Sequence, residues 1–232
     1  MKKKRLAILT GAGVSAESGI KTFRDTNGLW EEYDVMEVAS IDGWHRNPSL
    51  VQDFYNQRRR QLKTAQPNAA HRILAEVEQY FDVNVITQNV DNLQERGGST
   101  NVLHLHGELT KAQSVANPNL IADIGYNDIK MGDVGEDGEQ LRPHIVWFGE
   151  AVPLISAAAE LVRQADMLAV IGTSLNVYPA AGLVSYLVAG KPIFLIDPND
   201  VGIGGQRNVT VIKEKASVGV EQLRQLLLKE YM

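Results

Sequence analysis

Short apolar runs alternate with stretches of three- and four-residue apolar spacing along most of this chain. Leu6 to Leu9, Val83 to Ile86, Val102 to Leu105, Met167 to Ile171, Ile193 to Ile196 and Val209 to Ile212 read as buried strands. Amphipathic helices lie between them. Asn47-Pro48 supplies an N-cap and a proline at the first helical position, and Leu50, Val51, Phe54, Tyr55, Arg58 and Leu62 recur behind it at helical spacing. Asn68 caps a second helix with Ile73, Leu74, Val77 and Phe81 on its apolar stripe. Ile155 to Gln164, Ala180 to Ala189 (stopped by Gly190 and Pro192) and Val218 to Leu228 are the later helices. This alternation predicts an α/β fold built on a Rossmann-like, doubly wound, mostly parallel sheet. Two regions break the rhythm. Ser15 to Gly19 has room for only a brief helix, and Thr22 to Trp30 carries no strand pattern. Thr110 to Leu141 is rich in turn formers, among them Asn117-Pro118, Gly132-Asp133 and Gly135-Glu136-Asp137-Gly138, and reads as a loop-rich insert.

Composition narrows the possibilities without changing this picture. The 232 residues suit one sizeable domain, or a core domain with a small insert, and 44% apolar with 22% charged residues is ordinary for a globular protein. A net charge of -5 argues against nucleic acid as a partner. Lys2 to Arg5 leads into too few apolar residues for a signal peptide, and no later run approaches the ~18 of a membrane span. A cytosolic protein with no membrane partner is therefore expected. The absence of cysteine excludes disulfides, a thiol nucleophile and any thiolate-bound metal.

The densest chemistry follows the first strand. Gly11-Ala12-Gly13, with Ala16 where the phosphate-binding fingerprint has its last small residue, lets the backbone turn tightly against a pyrophosphate, and the following helix offers free N–H groups. The acid that a dehydrogenase carries at the end of its second strand is missing. Glu31, Glu32 and Asp34 follow a segment without strand pattern. The loop from Thr22 to Trp30 mixes turn residues with aromatics and Arg24, which fits either ligand contact or core packing. Tyr55 and Arg58 share one helix face, where a phenol and a guanidinium could grip a carboxylate. Alternatively, Tyr55 is half-buried packing, and at least two of Arg58, Arg59 and Arg60 are simply solvated. Gln88-Asn89-Val90-Asp91-Asn92 crowds amides and a carboxylate at a strand's C-terminal end, where open α/β sheets place ligands. His104 and His106 fall on the same side of a strand, which permits a metal pair in principle. With no third ligand nearby, one histidine beside Gly107 acting as general base is the better reading. Asp133, Glu136 and Asp137 lack the spacing of a calcium loop and read as solvated surface.

Taken in order, Gly11-Ala12-Gly13-Val14-Ser15, Thr22-Phe23-Arg24-Asp25, Gln88-Asn89-Val90-Asp91, His106-Gly107, Val146-Trp147-Phe148-Gly149-Glu150 and Gly172-Thr173-Ser174 resemble the motifs of the sirtuin family of NAD-dependent protein-lysine deacylases. The resemblance covers nearly the whole chain. It implies one domain, with a large Rossmann-like part (1–30, 68–109 and 143–232) and a small subdomain (31–67 and 110–142). It also assigns roles. Gly11, Ala12, Gly13, Thr173 and Ser174 would hold the pyrophosphate and adenosine of NAD, and Asp197, Pro198, Asn199 and Ala216 would border the adenine and its ribose. Phe23, Arg24, Asn89 and Asp91 would line the nicotinamide pocket, and Ser15, Glu17, Thr22, Trp30, Gln88, Val90 and Gly172 complete the NAD-lining set. His106 would be the general base, with Asn89 and Asp91 beside it in catalysis. It would draw a proton from the ribose hydroxyls as the acyl group passes from lysine to ADP-ribose. Val146, Phe148, Gly149 and Glu150 would take the acyl-lysine peptide by strand addition, and the chain would act as a monomer. Tyr55-x-x-Arg58 resembles the desuccinylase-type bacterial branch, because a buried guanidinium gains nothing from an acetyl group and pairs with a succinyl or malonyl carboxylate.

Two features depart from the family pattern. Sirtuins commonly hold a structural zinc with four cysteines after the His-Gly pair, and Thr110 to Leu141 contains none, so no zinc is expected. Asp197 stands where asparagine is more usual, which affects ribose recognition but not NAD binding as such. Three other functions compete. An NAD glycohydrolase or ADP-ribosyltransferase shares the same chemistry at the ribose, a non-catalytic NAD sensor shares the site, and a dehydrogenase lacks its acid.

Overall fold

The computed structural model describes residues 2–20, 29–30, 33–202 and 208–232. The chain opens with β1 (Arg5–Thr10), followed by β2 (Leu29–Trp30) and β3 (Tyr33–Asp34), which pair with each other. Three helices come next, α1 (Val35–Val38), α2 (Ile41–Arg46) and α3 (Pro48–Thr64), then α4 (Ala69–Val77), β4 (Asp82–Thr87), α5 (Leu93–Gly97) and β5 (Val102–His104). The strands β6 (Gly107–Ser114), β7 (Ile121–Asp123) and β8 (Leu141–Ile145) form a small antiparallel sheet in the order β7-β6-β8. The remainder is α6 (Ile155–Gln164), β9 (Met167–Ile171), a 3₁₀ segment at Ala180–Tyr186, β10 (Ile193–Ile196), β11 (Val209–Ile212) and α7 (Ala216–Glu230).

The predicted parallel sheet is present, six strands in the order β11-β10-β9-β1-β4-β5. Helices cover both faces, which is why its strands read as largely apolar runs. Leu6, Ile8, Val83 and Val85 pack on one side against α4 and α7, and Ala7, Leu9, Leu168 and Val170 on the other against α6 and the 3₁₀ segment. From β1 the chain builds outward to β4 and β5, then returns to β9 on the opposite flank. The strand order therefore reverses between β1 and β9, and a crevice opens beyond their carboxyl ends. A third apolar cluster joins α3, through Val51, Phe54, Tyr55 and Leu62, to Leu109, Ile145 and Trp147. No helix among the described residues is long and apolar enough to cross a membrane.

Several local expectations fail for physical reasons. Asn47 and Asn68 do cap α3 and α4, but the helix expected from Ala180 to Ala189 is a shorter 3₁₀ segment. The strand carrying His104 ends there, so His106 is not on its face, and no group of three metal-ligating side chains occurs among the described residues. The segment expected to be loop-rich contains the small sheet. It is poor in apolar side chains, so its backbone groups must find partners instead. Many of these partners lie on α3. Gln52 Nε2 donates to Leu141 O (2.9 Å), and Asn56 holds Ile129 in both directions, donating to its carbonyl (2.8 Å) and accepting from its N–H (2.9 Å). Arg59 Nε donates to Leu109 O (2.6 Å) and Nη1 to Asn56 Oδ1 (2.7 Å). Arg58 and Arg59 are therefore both buried rather than solvated. Burial lowers the Arg59 pKa to about 10, which still leaves it charged at neutral pH.

Replacing Asn56 by alanine strands the N–H and carbonyl of Ile129 and one arm of Arg59. Asn56→Ala is expected to lower unfolding free energy by about 3 kcal/mol in a urea titration, with faster amide exchange at Ile129. A loss below about 0.5 kcal/mol would show that α3 does not hold the insert.

Candidate active site

The crevice is walled by two turns that interlock. Gly11 N–H donates to Ile171 O (3.0 Å) and Gly13 N–H to Gly172 O (2.8 Å). A Cβ on Gly13 would stand 2.7 Å from Gly172 Cα, so this glycine lets one turn seat in the other. The segment after it is two 3₁₀ turns, Ala12–Val14 and Ala16–Ser18, not the dipole-bearing helix expected from the fingerprint. Glu17 is committed elsewhere, its carboxylate accepting from the Ser217 N–H (3.0 Å) and hydroxyl (2.7 Å) at the start of α7.

Ser15, fully buried, is the hub of the crevice floor. The Asn68 N–H donates to His71 Nδ1 (3.2 Å), which leaves the imidazole proton on Nε2, directed at Ser15 Oγ (3.4 Å). Asn89 Nδ2 also donates to Ser15 Oγ (3.1 Å), and the Ser15 hydroxyl donates to Asp91 Oδ2 (2.9 Å). One hydroxyl thus uses its proton and both lone pairs. Asp91 Oδ1 accepts from the Leu93 N–H (3.0 Å). Burial raises the Asp91 pKa, against these hydrogen bonds, and lowers that of His71 to about 4, which keeps its ring neutral.

His106 faces this floor. Its Nδ1 lies 3.0 Å from Gln88 O, an obligate acceptor, so Nδ1 carries the proton and Nε2 keeps its lone pair. Burial holds its pKa below the ordinary value, partly opposed by the bond to Gln88, and the ring is neutral near pH 7. The neighbouring residue has to be glycine. Gly107 sits at φ 81°, and a Cβ there would be 2.0 Å from His144 O. His106 O accepts from the Val146 N–H (2.9 Å), joining this residue to the segment 146–150.

That segment is braced from below. Arg142 lies 3.6 Å over the Trp147 ring and forks onto Glu150 at 2.8 and 2.9 Å, and the Trp147 N–H donates to the same carboxylate (2.8 Å). The Glu150 side chain is therefore engaged. The backbone of Phe148 already pairs with Ala39 O (2.9 Å) and the Ile41 N–H (3.0 Å), and the Glu150 N–H with Trp147 O. Of the four residues expected to take the peptide, Gly149 has both backbone groups without a partner among the described residues. On α3, Trp147 Nε1 donates to Tyr55 Oη (3.0 Å). Burial pushes the Tyr55 phenol well above the ordinary range, so it keeps its proton. Arg58 lies one turn on, its guanidinium 5.7 Å from the Phe54 ring.

One cavity of about 290 Å³ joins these parts. Gly11, Ala12, Ser15, Gly172, Thr173 and Ser174 line one end. Gln88, Asn89, Val90, Asp91 and His106 form its middle, and Tyr55, Arg58, Val146, Phe148, Gly149 and Glu150 the other end. Gly13 is not part of this lining, nor are Asp197, Pro198 and Asn199 after β10 or Ala216 at the start of α7. Asp197 accepts from the backbone (2.9 Å) and side-chain (3.2 Å) nitrogens of Asn199. Thr22, Phe23, Arg24 and the side chain of Trp30 fall outside the described residues. Trp147, Arg142, His71 and Tyr178, all at or just behind the cavity wall, were missed by the sequence reading.

Residues 11–179 match the Sir2 family. The chain belongs to that family. A Bacteroides thetaiotaomicron relative named NAD-dependent protein deacylase is 54% identical over 230 residues, 97% of this chain and 98% of its own. A protein of the same name from Helicobacter pylori strain 26695 is 54% identical over 226 residues, again 97% of this chain and 98% of its own. A Sir2 homologue solved as a complex with NAD superposes with a TM-score of 0.86 at 37% identity, spanning 98% of this chain and 90% of that one. The interlocked glycine turns and the Ser15 hub are thus parts of a Sir2 crevice.

The hub ties stability to pH. Unfolded, His71 takes a proton at its ordinary value of 6.5; folded, only near 4. The unfolded chain therefore binds more protons between these values. Stability is unaffected above about pH 6.5 and falls as pH drops toward 4, by about 3 kcal/mol from this group. Urea unfolding across that window is expected to show the loss, and His71→Gln to flatten it. An equally steep dependence in the variant would assign the loss to other groups.

Proposed function

We propose that this chain is an NAD-dependent protein-lysine deacylase that removes succinyl and malonyl as well as acetyl groups, releasing nicotinamide and O-acyl-ADP-ribose. A cytosolic location is part of this reading and rests on composition, and action as a monomer is part of it too. The residues present suit NAD. A cavity runs from two glycine turns to a buried amide and carboxylate and on to a neutral imidazole, and none of these groups needs a metal. NAD, when bound, supplies an electrophilic ribose carbon and a nicotinamide leaving group. The chain's own residues do the rest. Gly11 to Gly13 and Gly172 to Ser174 hold the diphosphate. Asn89 and Asp91, fixed through Ser15, hydrogen-bond the carboxamide. His106 takes a proton on Nε2 from a ribose hydroxyl as the acyl group moves, a role suited to a ring that is neutral at working pH. Gly149 offers a peptide its N–H and carbonyl.

The acyl preference rests chiefly on Tyr55. Its oxygen accepts the Trp147 N–H, and its own proton has no acceptor among the described residues. With the Arg58 guanidinium beside it in the same wall, a carboxylate at the acyl terminus meets an O–H and a cationic fork. A panel of acetyl-, malonyl- and succinyl-lysine peptides with NAD, read by mass, is expected to yield O-acyl-ADP-ribose from all three. Arg58→Met is expected to cut desuccinylation roughly 10- to 100-fold and to affect deacetylation far less. Unchanged desuccinylation would refute the carboxylate clamp, and NAD loss that ignores peptide would favour a glycohydrolase.

A further inference from the structure

The two histidines of His104-Leu105-His106 hold successive carbonyls of one loop. His106 Nδ1 meets Gln88 O at 3.0 Å, and His104 Nδ1 meets Asn89 O at 3.1 Å. Their second nitrogens differ. The His106 Nε2 has no partner among the described residues, whereas the His104 Nε2 lies 2.7 Å from Glu95 Oε1 of α5. A carbonyl and a carboxylate can only accept, so both nitrogens of His104 must donate. His104 is therefore an imidazolium two residues from a neutral imidazole. It is buried, with 7% of its side chain exposed, so the bond to Asn89 O has no water to replace it.

We propose that His104, held as imidazolium by Glu95, is a positioning residue that fixes the carbonyl of Asn89, and that its deprotonation sets the alkaline limit of the enzyme's activity. This rests on the deacylase reading above. Losing one proton forces a choice between the two partners. The charge-assisted bond to Glu95 is the stronger, so the proton stays on Nε2 and Nδ1 turns a lone pair toward Asn89 O. The loop then loses the donor that fixes its second carbonyl, beside the Asn89 amide that meets Ser15. His106, bound to the preceding carbonyl, shifts with it. The charged and titratable groups around His104 favour the cation. Glu95 approaches from α5, Glu108 from β6 with its own Lys111, and Asp91 from the same loop; His144 of β8 opposes them. Burial lowers the His104 pKa, but the hydrogen bond and charge of Glu95 outweigh it and leave the ring above its ordinary value.

The test is the pH dependence of kcat/KM for an acyl-lysine peptide between about pH 6 and 10, in the wild type, Glu95→Gln and His104→Asn. In Glu95→Gln the alkaline limb is expected to move down by about one pH unit or more, with a plateau less than tenfold below the wild type and an acid limb unmoved, since His106 sets it. His104→Asn, which can still donate one N–H to Asn89 O but does not titrate, is expected to lose the alkaline limb altogether. An alkaline limb within about 0.3 units of the wild type in Glu95→Gln, or one retained in His104→Asn, overturns the proposal. Nitrogen chemical shifts of the histidine rings give a readout that needs no activity and no variant. His104 is expected to show two protonated nitrogens at about pH 7.5 and His106 one. A single protonated nitrogen on His104 overturns the proposal even if the wild type proves inactive, which would instead refute the deacylase reading.

Discussion

Six parallel strands end along one edge of the sheet, and the loops leaving that edge must satisfy their backbone polar groups away from water. This constraint shapes the crevice. Between β1 and β9 it is met by backbone alone, with Gly11 and Gly13 bonded to the carbonyls of Ile171 and Gly172. Beyond β4 it is met by side chains. His106 and His104 take the carbonyls of Gln88 and Asn89, and Asp91 takes the Leu93 N–H. The groups that satisfy the backbone are then already oriented toward a ligand, and no separate scaffold is needed to aim them.

The cavity lining carries groups of both signs. Asp91 sits at the floor in a network with Asn89 and His71 centred on Ser15, while Arg58 and the protonated Tyr55 line another part of the wall. His106 is tied through its carbonyl to Val146, and the segment that follows is tied through Trp147 to Tyr55. Displacing Trp147 would disturb both the wall formed by Tyr55 and the loop bearing Gly149, because its ring serves one and its backbone the other.

What was legible in the sequence was what local physics encodes. Apolar runs marked the six strands, since a parallel sheet covered on both faces leaves few polar positions in its strands, Asn84 and Thr210 among them. Asn47-Pro48 and Asn68 marked helix starts because a cap acts within three residues. Gln88 to Asp91 and His106-Gly107 were visible as polar clusters at strand ends. The small sheet was not, because β6 and β8 are held by backbone bonds and by side chains from a distant helix, which leave no period. Arg59 looked like one more surface charge in a basic run, and only its carbonyl partner at Leu109 explains its burial. His71 looked like a helix residue. Its second role, through Ser15, depends on a contact 56 residues away in the chain.

Gln52, Asn56 and Arg59 lie at four- and three-residue spacing, so a single stripe of α3 clasps the segment that follows His106. The clasp is made of amides and one guanidinium, in a chain with no cysteine. Peroxide finds no thiol there to oxidise, and a chelator finds no thiolate cluster to strip. The register between the wall bearing Tyr55 and Arg58 and the segment bearing His106 is thus set by amide and guanidinium hydrogen bonds, which a thiol oxidant leaves intact.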